Sequence, residues 1–206
     1  MIKFEQWTEL RSCSRRSTRR NVPTMTSTLI SRPRNDWTCC SNWWSATEEI
    51  LAKLQTDLRE FIVLLNSHKV EYLLVGGHAV AFHGHPRFTG DIDFLVRTTP
   101  ENAARVLSVL KDFGFADLAI TANDLIEPGR VLQLGHAPNR IDLLTSISGV
   151  DFDTAWAARI QAQLDDQPVT LLSREHLLQN KRASGRQKDL ADVAKLLAVH
   201  AREDAE

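Results

Sequence analysis

Leu73-Leu74-Val75-Gly76-Gly77-His78-Ala79, followed shortly by Arg87-Phe88-Thr89-Gly90-Asp91-Ile92-Asp93-Phe94-Leu95-Val96, is the stretch that decides how this chain folds. It reads as a buried strand, a double-glycine turn, a short helix, and a second strand carrying two carboxylates one residue apart. Side chains alternate faces along a strand, so Asp91 and Asp93 point the same way, roughly 7 Å apart, while Ile92 and Phe94 face the core. Folding alone gives no reason to aim two like charges together. A divalent cation does, because hard oxygen ligands hold Mg²⁺ while leaving room for water and phosphate. A turn without side chains, as at Gly76 and Gly77, lets backbone N–H groups approach a phosphate closely.

Elements of the same kind extend outward from this core. Ile50, Leu54, Leu58, Phe61, Ile62 and Leu65 fall on one helical face, and that helix is expected to end near 66–69. Strands are expected at 71–75 and 91–96. Thr99 caps a helix with Pro100 in its first turn, Val106, Leu107 and Leu110 inward, and a stop at Gly114. Residues 130–134 and 140–145 read as a hairpin around Ala137-Pro138-Asn139. A helix at 152–163, a short strand at 169–172 and two helices from Ser173 onward complete the body. The second of these is expected to turn Leu190, Val193, Leu196 and Leu197 inward. This order predicts a mixed β-sheet of α/β (α+β) type with flanking helices and a C-terminal helical segment.

The third informative acid is Asp142, in the otherwise apolar run Arg140-Ile141-Asp142-Leu143-Leu144. A buried carboxylate is costly unless it pairs or coordinates a cation. If its strand neighbours that of Asp91 and Asp93, three carboxylates converge; the alternative is that Asp142 caps a turn or pairs with Arg140.

Gly-Gly followed by Arg-x-Thr-x-Asp-x-Asp before an apolar strand resembles the nucleotidyltransferase fold of the DNA polymerase β superfamily. The wording Gly-Gly-His-Ala and Arg-Phe-Thr-Gly-Asp-Ile-Asp is similar to small bacterial proteins grouped with the AbiEii-type toxins. The resemblance covers about residues 60–200, on a few short motifs. It implies transfer of a nucleoside monophosphate from a nucleoside triphosphate (NTP) to a hydroxyl acceptor such as a tRNA 3′ end, with Mg²⁺ or Mn²⁺ as cofactor. Asp91, Asp93 and Asp142 would be the metal ligands, Asp142 also the candidate base for the attacking hydroxyl. Gly76 and Gly77 would cradle phosphates, with Arg87 and Thr89 adding contacts. The superfamily often begins this site with Gly-Ser; here Gly77 stands in the serine's place and one polar contact is lost.

The segment from Leu178 to Val193 resembles the Lys…Arg-x-Lys-Asp-x-x-Asp element of the same group. That likeness implies Lys181 as a phosphate contact, Asp189 as the group orienting Lys181 or Arg186, and Arg186 as a further contact. The alternative is a solvated basic loop whose Asp189 and Asp192 favour a helix start. Other acceptors stay open, a small molecule or a protein hydroxyl, as does a non-catalytic role beside a cognate antitoxin or regulator.

Composition bounds the rest. With 206 residues, 43% hydrophobic and 25% charged, the chain suits one well-buried domain with appendages. No apolar run reaches the roughly 18 residues of a membrane span. Residues 1–45 hold eight basic residues against three acidic, so a net charge of −1 leaves −6 on the remainder. An acidic body argues against gripping long nucleic acid by general charge. Residues 1–45 also carry Trp7, Trp37, Trp43 and Trp44 without a period, and are expected to be a disordered basic extension, 46–206 forming the nucleotidyltransferase domain. Cys13, Cys39 and Cys40 all lie in that extension, which fits a reducing cytoplasm and leaves the body without a cysteine nucleophile. His78, His83 and His85 lack the spacing of a tetrahedral zinc set; His78 is expected to begin the helix and the others to flank the mouth of the site. Trp156 is expected in the core or as a wall of the pocket.

Overall fold

A computed structural model of the chain describes residues 56–135 and 140–203, without the side chains of 200–203. All of these belong to the compact unit Thr38–Glu206. The expectations for 1–45, for the start of the first helix and for the turn at 137–139 lie outside the described residues.

Six strands form one mixed sheet: β1 (Tyr72–Val75), β2 (Asp91–Val96), β3 (Val131–Leu134), β4 (Arg140–Leu144), β5 (Ile160–Leu164) and β6 (Gln167–Leu171), in the order β3-β4-β2-β1-β6-β5. The two central strands run antiparallel, β2 pairs parallel with β4, and β1 pairs parallel with β6. The expected mixed sheet with flanking helices is what forms. β1 is buried along its whole length, and β2 alternates so that Ile92 and Phe94 are fully buried.

Helix α1 (Thr56–Ser67) lays Leu58, Phe61, Ile62 and Leu65 on this core, as its spacing predicts. Phe61 meets Phe94 at 5.9 Å, and Tyr72 meets Phe94 edge-on at 5.3 Å. Helix α2 (Gly76–Phe82) begins directly at the first glycine, whose φ of +63° makes the bend out of β1. Helix α3 (Pro100–Leu110) is capped by Thr99 and runs on into a π turn, Lys111–Phe115, which is broken by a kink at Gly114, whose φ is +103°. The buried Asn102 of α3 anchors the end of β1: it accepts from the Glu71 amide at 2.8 Å and donates to the carbonyls of Glu71 and Arg97.

Three sequence expectations need correction. The helix expected over 152–163 is only α5 (Phe152–Ala157); Ile160–Leu164 is instead strand β5, hairpinned to β6. Ile160, Ala162 and Leu164 alternate with Gln161 and Gln163, the period of two that a half-buried strand requires and a helix does not satisfy. The Asp165-Asp166 turn closes the hairpin: both residues take positive φ, 48° and 60°, as a tight hairpin requires. A short helix α4 (Ala122–Ile126) went unread, although Thr121 and Asp124 form its capping box. Helix α6 (Arg174–Ser184) ends at left-handed Gly185 as expected, and α7 (Gln187–Glu203) follows. On α7, however, Leu190 and Leu197 are 48% and 42% exposed, and the inward stripe is Asp189, Asp192, Val193 and Leu196. Two carboxylates hold positions expected of leucines, because cations face them from α6 and the loop before β2.

Trp156 stacks on Phe152 at 5.6 Å beneath the guanidinium of Arg159, a half-buried edge of the core. No helix among the described residues is long and apolar enough to cross a membrane.

Candidate active site

The parallel register of β2 and β4 places Asp93 opposite Asp142 and Asp91 opposite Arg140. Alternation then brings all three acids to one face, and one oxygen from each lies within 4.8 Å of the others. Asp142 is buried, while Asp91 is about one-third exposed, with a side-chain exposure of 35%. Burial, and after it the charges of Asp91 and Asp142, raise the Asp93 carboxyl to about 6, against the opposing pull of Lys181 and Arg140.

Packing alone requires the two glycines. A Cβ on Gly76 would lie 1.9 Å from Asp93 Oδ2, and one on Gly77 would lie 2.7 Å from Thr89 Oγ1. With φ positive at Gly76 as well, any other residue there would be both strained and in collision with the carboxylate. Thr89 donates to Asp91 Oδ1 at 2.6 Å, so its first visible task is to orient that acid. His78, early in α2, is held below the usual imidazole range by burial and by Arg87, with Asp91 opposing.

A second charged group adjoins the first. Lys181, 5% exposed, donates to Asp189 at 2.5 Å and pairs with Asp192 at 3.1 Å. Arg87 holds Asp192 with two bonds, of 3.0 and 3.1 Å, and Ser184 donates to Asp189. Burial pushes Asp189 upward, but the bonds from Lys181 and Ser184 and the charges of Lys181 and Arg186 outweigh it, holding the carboxyl below its ordinary range. Asp189 and Lys181 are thus directly hydrogen-bonded. The ammonium has three donors and two are taken, so one is left to serve anything else. Arg186 is exposed, and among the described residues no hydrogen bond joins its side chain to the three clustered acids. His83 donates to the Leu172 carbonyl at 2.9 Å, a structural bond that leaves one ring nitrogen free.

No protein-family model matches the chain, and no curated protein matches it. Partial likenesses exist among solved structures. A protein from Thermotoga maritima described as a candidate nucleotidyltransferase is 18% identical, over 68% of this chain and 90% of its own, with a TM-score of 0.47. An antigenic nucleotidyltransferase-like protein from Paracoccidioides brasiliensis is 19% identical, over 69% and 75%, at 0.43. The lincosamide antibiotic adenylyltransferase LnuA, with lincomycin bound, is 17% identical, over 71% and 98%, also at 0.43.

The donor set fits a divalent cation on its own chemistry. Three carboxylates converge with one guanidinium on them, leaving two negative charges in surplus, and no described residue donates a hydrogen bond to Asp93. Two participants went unread in the sequence. The sequence offers Asp192 only as the last acid of the Asp-x-x-Asp element or as a helix-start acid, with no partner, yet it links Arg87 to Lys181; its i+3 spacing from Asp189 is the available signal. Arg140 was seen only as a rival partner for Asp142, yet it also reaches Asp91 at 2.7 Å.

Proposed function

We propose that this domain is a metal-dependent nucleotidyltransferase, moving a nucleoside monophosphate from an NTP to a hydroxyl acceptor with release of pyrophosphate. One observation carries the reading: strand register brings one carboxylate oxygen each of Asp91, Asp93 and Asp142 within 4.8 Å of the others, beside a glycine bend on which Asp93 and Thr89 pack too closely for any side chain to fit. Asp91, Asp93 and Asp142 would hold Mg²⁺ or Mn²⁺, which supplies charge neutralisation on the triphosphate and acidifies the attacking hydroxyl. The chain's own residues do the rest. The bend at Gly76 and Gly77 gives phosphate oxygens access to backbone N–H groups that a side chain would screen. Thr89 fixes the rotamer of Asp91, so the carboxylates are set before substrate arrives. Asp142 is the candidate acceptor of the hydroxyl proton. Lys181, held by Asp189, adds positive charge beside Asp93, and Arg186 at the rim offers a further phosphate contact.

A tRNA 3′ end is the acceptor the sequence resemblance suggests, and an antitoxin-like regulator the partner. The test is incubation with Mg²⁺, labelled NTPs and separate pools of tRNA, protein and small hydroxyl acceptors. Label should move to one pool and to none with Asp93→Ala. Nucleotide binding without transfer to any pool would favour a binding role instead.

A further inference from the structure

Arg140 lies on the carboxylates themselves. Its Nε donates to Asp142 Oδ1 at 2.8 Å, and its Nη2 donates both to Asp142 Oδ2 at 2.9 Å and to Asp91 Oδ2 at 2.7 Å. The second oxygen of Asp91 accepts from Thr89. Every oxygen of Asp91 and Asp142 is therefore engaged by the protein, and Arg140 takes three of the four. A cation bound by these acids and the guanidinium of Arg140 must compete for the same lone pairs.

Whether such a guanidinium can leave depends on where it lies. Lys181, with a side chain 6% exposed and two buried carboxylates on it, has nowhere to go without stranding charge. The Arg140 side chain is 32% exposed and belongs to a strand's first residue, so it can withdraw into water once a cation takes over the charge of Asp142, whose side chain is 7% exposed. A freed guanidinium is also a planar, two-pronged donor, the shape that matches phosphate oxygens.

We propose that Arg140 is a displaceable counter-ion of the acidic cluster: it neutralises Asp91 and Asp142 in the free protein, yields them to a divalent cation, and then binds the phosphates of the incoming nucleotide. This rests on the metal-dependent reading above and deepens it. Arg140 couples the two ligands, lowering affinity for metal alone and raising affinity for nucleotide once metal is present. It is a positioning residue in the first state and a substrate contact in the second.

Opposite signs in two binding measurements test this. Titration calorimetry would follow Mn²⁺ binding to the full chain, and then binding of a non-hydrolysable triphosphate analogue at saturating Mn²⁺. Arg140→Gln should bind Mn²⁺ alone about tenfold or more tightly, because charge-assisted bonds to both acids no longer compete. It should bind the analogue about tenfold more weakly, having lost a two-pronged phosphate contact. Arg140→Lys, which keeps the charge but not the fork, should fall between wild type and Arg140→Gln in both. Equal or weaker Mn²⁺ binding by Arg140→Gln overturns the inference, as does unchanged analogue affinity. Weakening of both affinities together would assign Arg140 a purely structural role and overturn it too. Absence of Mn²⁺ binding in wild type and variant alike would instead overturn the metal reading of the site, and this inference with it.

Discussion

Two clusters of carboxylates stand side by side in this domain, and they are built on opposite terms. Asp189 and Asp192 meet Lys181 and Arg87, two acids against two cations, tied by bonds of 2.5 to 3.1 Å. Among the described residues, Asp91, Asp93 and Asp142 are ion-paired by Arg140 alone, with the charge of Lys181 reaching Asp93 without a bond. The balanced group joins α6 and α7 to the loop before β2 and needs nothing from outside. The unbalanced one keeps a surplus of negative charge and a carboxyl raised to about 6, an arrangement that folding by itself would not select. Burial alone does not mark a functional acid: Asp192, at 3% exposed, is the more buried and the better satisfied. Local charge balance separates the two.

The contrast would break most visibly in chemistry. Asp93→Ala should cost at least about three orders of magnitude in nucleotide transfer, since metal-held charge neutralisation supplies most of phosphoryl-transfer catalysis. Its folding midpoint should hold or rise. Transfer surviving this substitution, measured by labelled-NTP incorporation, would place the chemistry elsewhere.

Stability should respond in the other cluster. Lys181→Met leaves Asp189 and Asp192 with Arg87 alone, and breaking a buried pair from one side costs about 3 kcal/mol. Urea denaturation would measure this, with transfer reduced less than by Asp93→Ala. A variant that keeps its midpoint yet loses nucleotide binding would make Lys181 a dedicated phosphate contact instead.

Acidification should move the two groups in opposite directions. The Asp93 carboxyl is raised to about 6 in the fold from 3.8 unfolded, so its ionisation costs stability as pH climbs through that window. The cost at pH 7 is at most about 3 kcal/mol. Asp93→Asn removes it, so this variant should exceed wild type in stability at pH 7, the gap closing towards pH 4. Asp189, held low by its partners, contributes stability above its unfolded range that is lost as pH falls. Denaturation curves for Asp93→Asn and Asp189→Asn between pH 4 and 7 should therefore diverge in sign; parallel curves would show that the two clusters do not differ as argued.

The smallest effect is expected on the outer face of α7. Leu190→Ser should change stability by no more than about 0.5 kcal/mol, whereas Leu196→Ala, at a fully buried position on the inner stripe of the same helix, should cost about 2–4 kcal/mol. Equal costs by thermal denaturation would mean that the inward stripe of α7 is assigned wrongly.

Period-two alternation was enough to place Asp91 and Asp93 together, and the apolar surroundings of Asp142 marked it as unusual before any contact was visible. The same alternation is present over Ile160–Leu164 and marks the strand that forms there, closed by the Asp165-Asp166 turn; extending the helix from Phe152 across it overrode that signal. On α7, apolar content pointed to Leu190 and Leu197, but the helix turned its carboxylates inward instead. A single helix cannot report which of its faces will meet a lysine. The glycine bend, the cap at Thr99 and the shared face of two acids the sequence determined by itself, because steric and hydrophobic periodicities act within a few residues. Only the tertiary structure decided that Asp142 stands in register with Asp93, that Arg140 reaches Asp91 across 49 positions, and that Arg87 holds Asp192 across 105. Charge balance is a property of space, and no stretch of chain carries it.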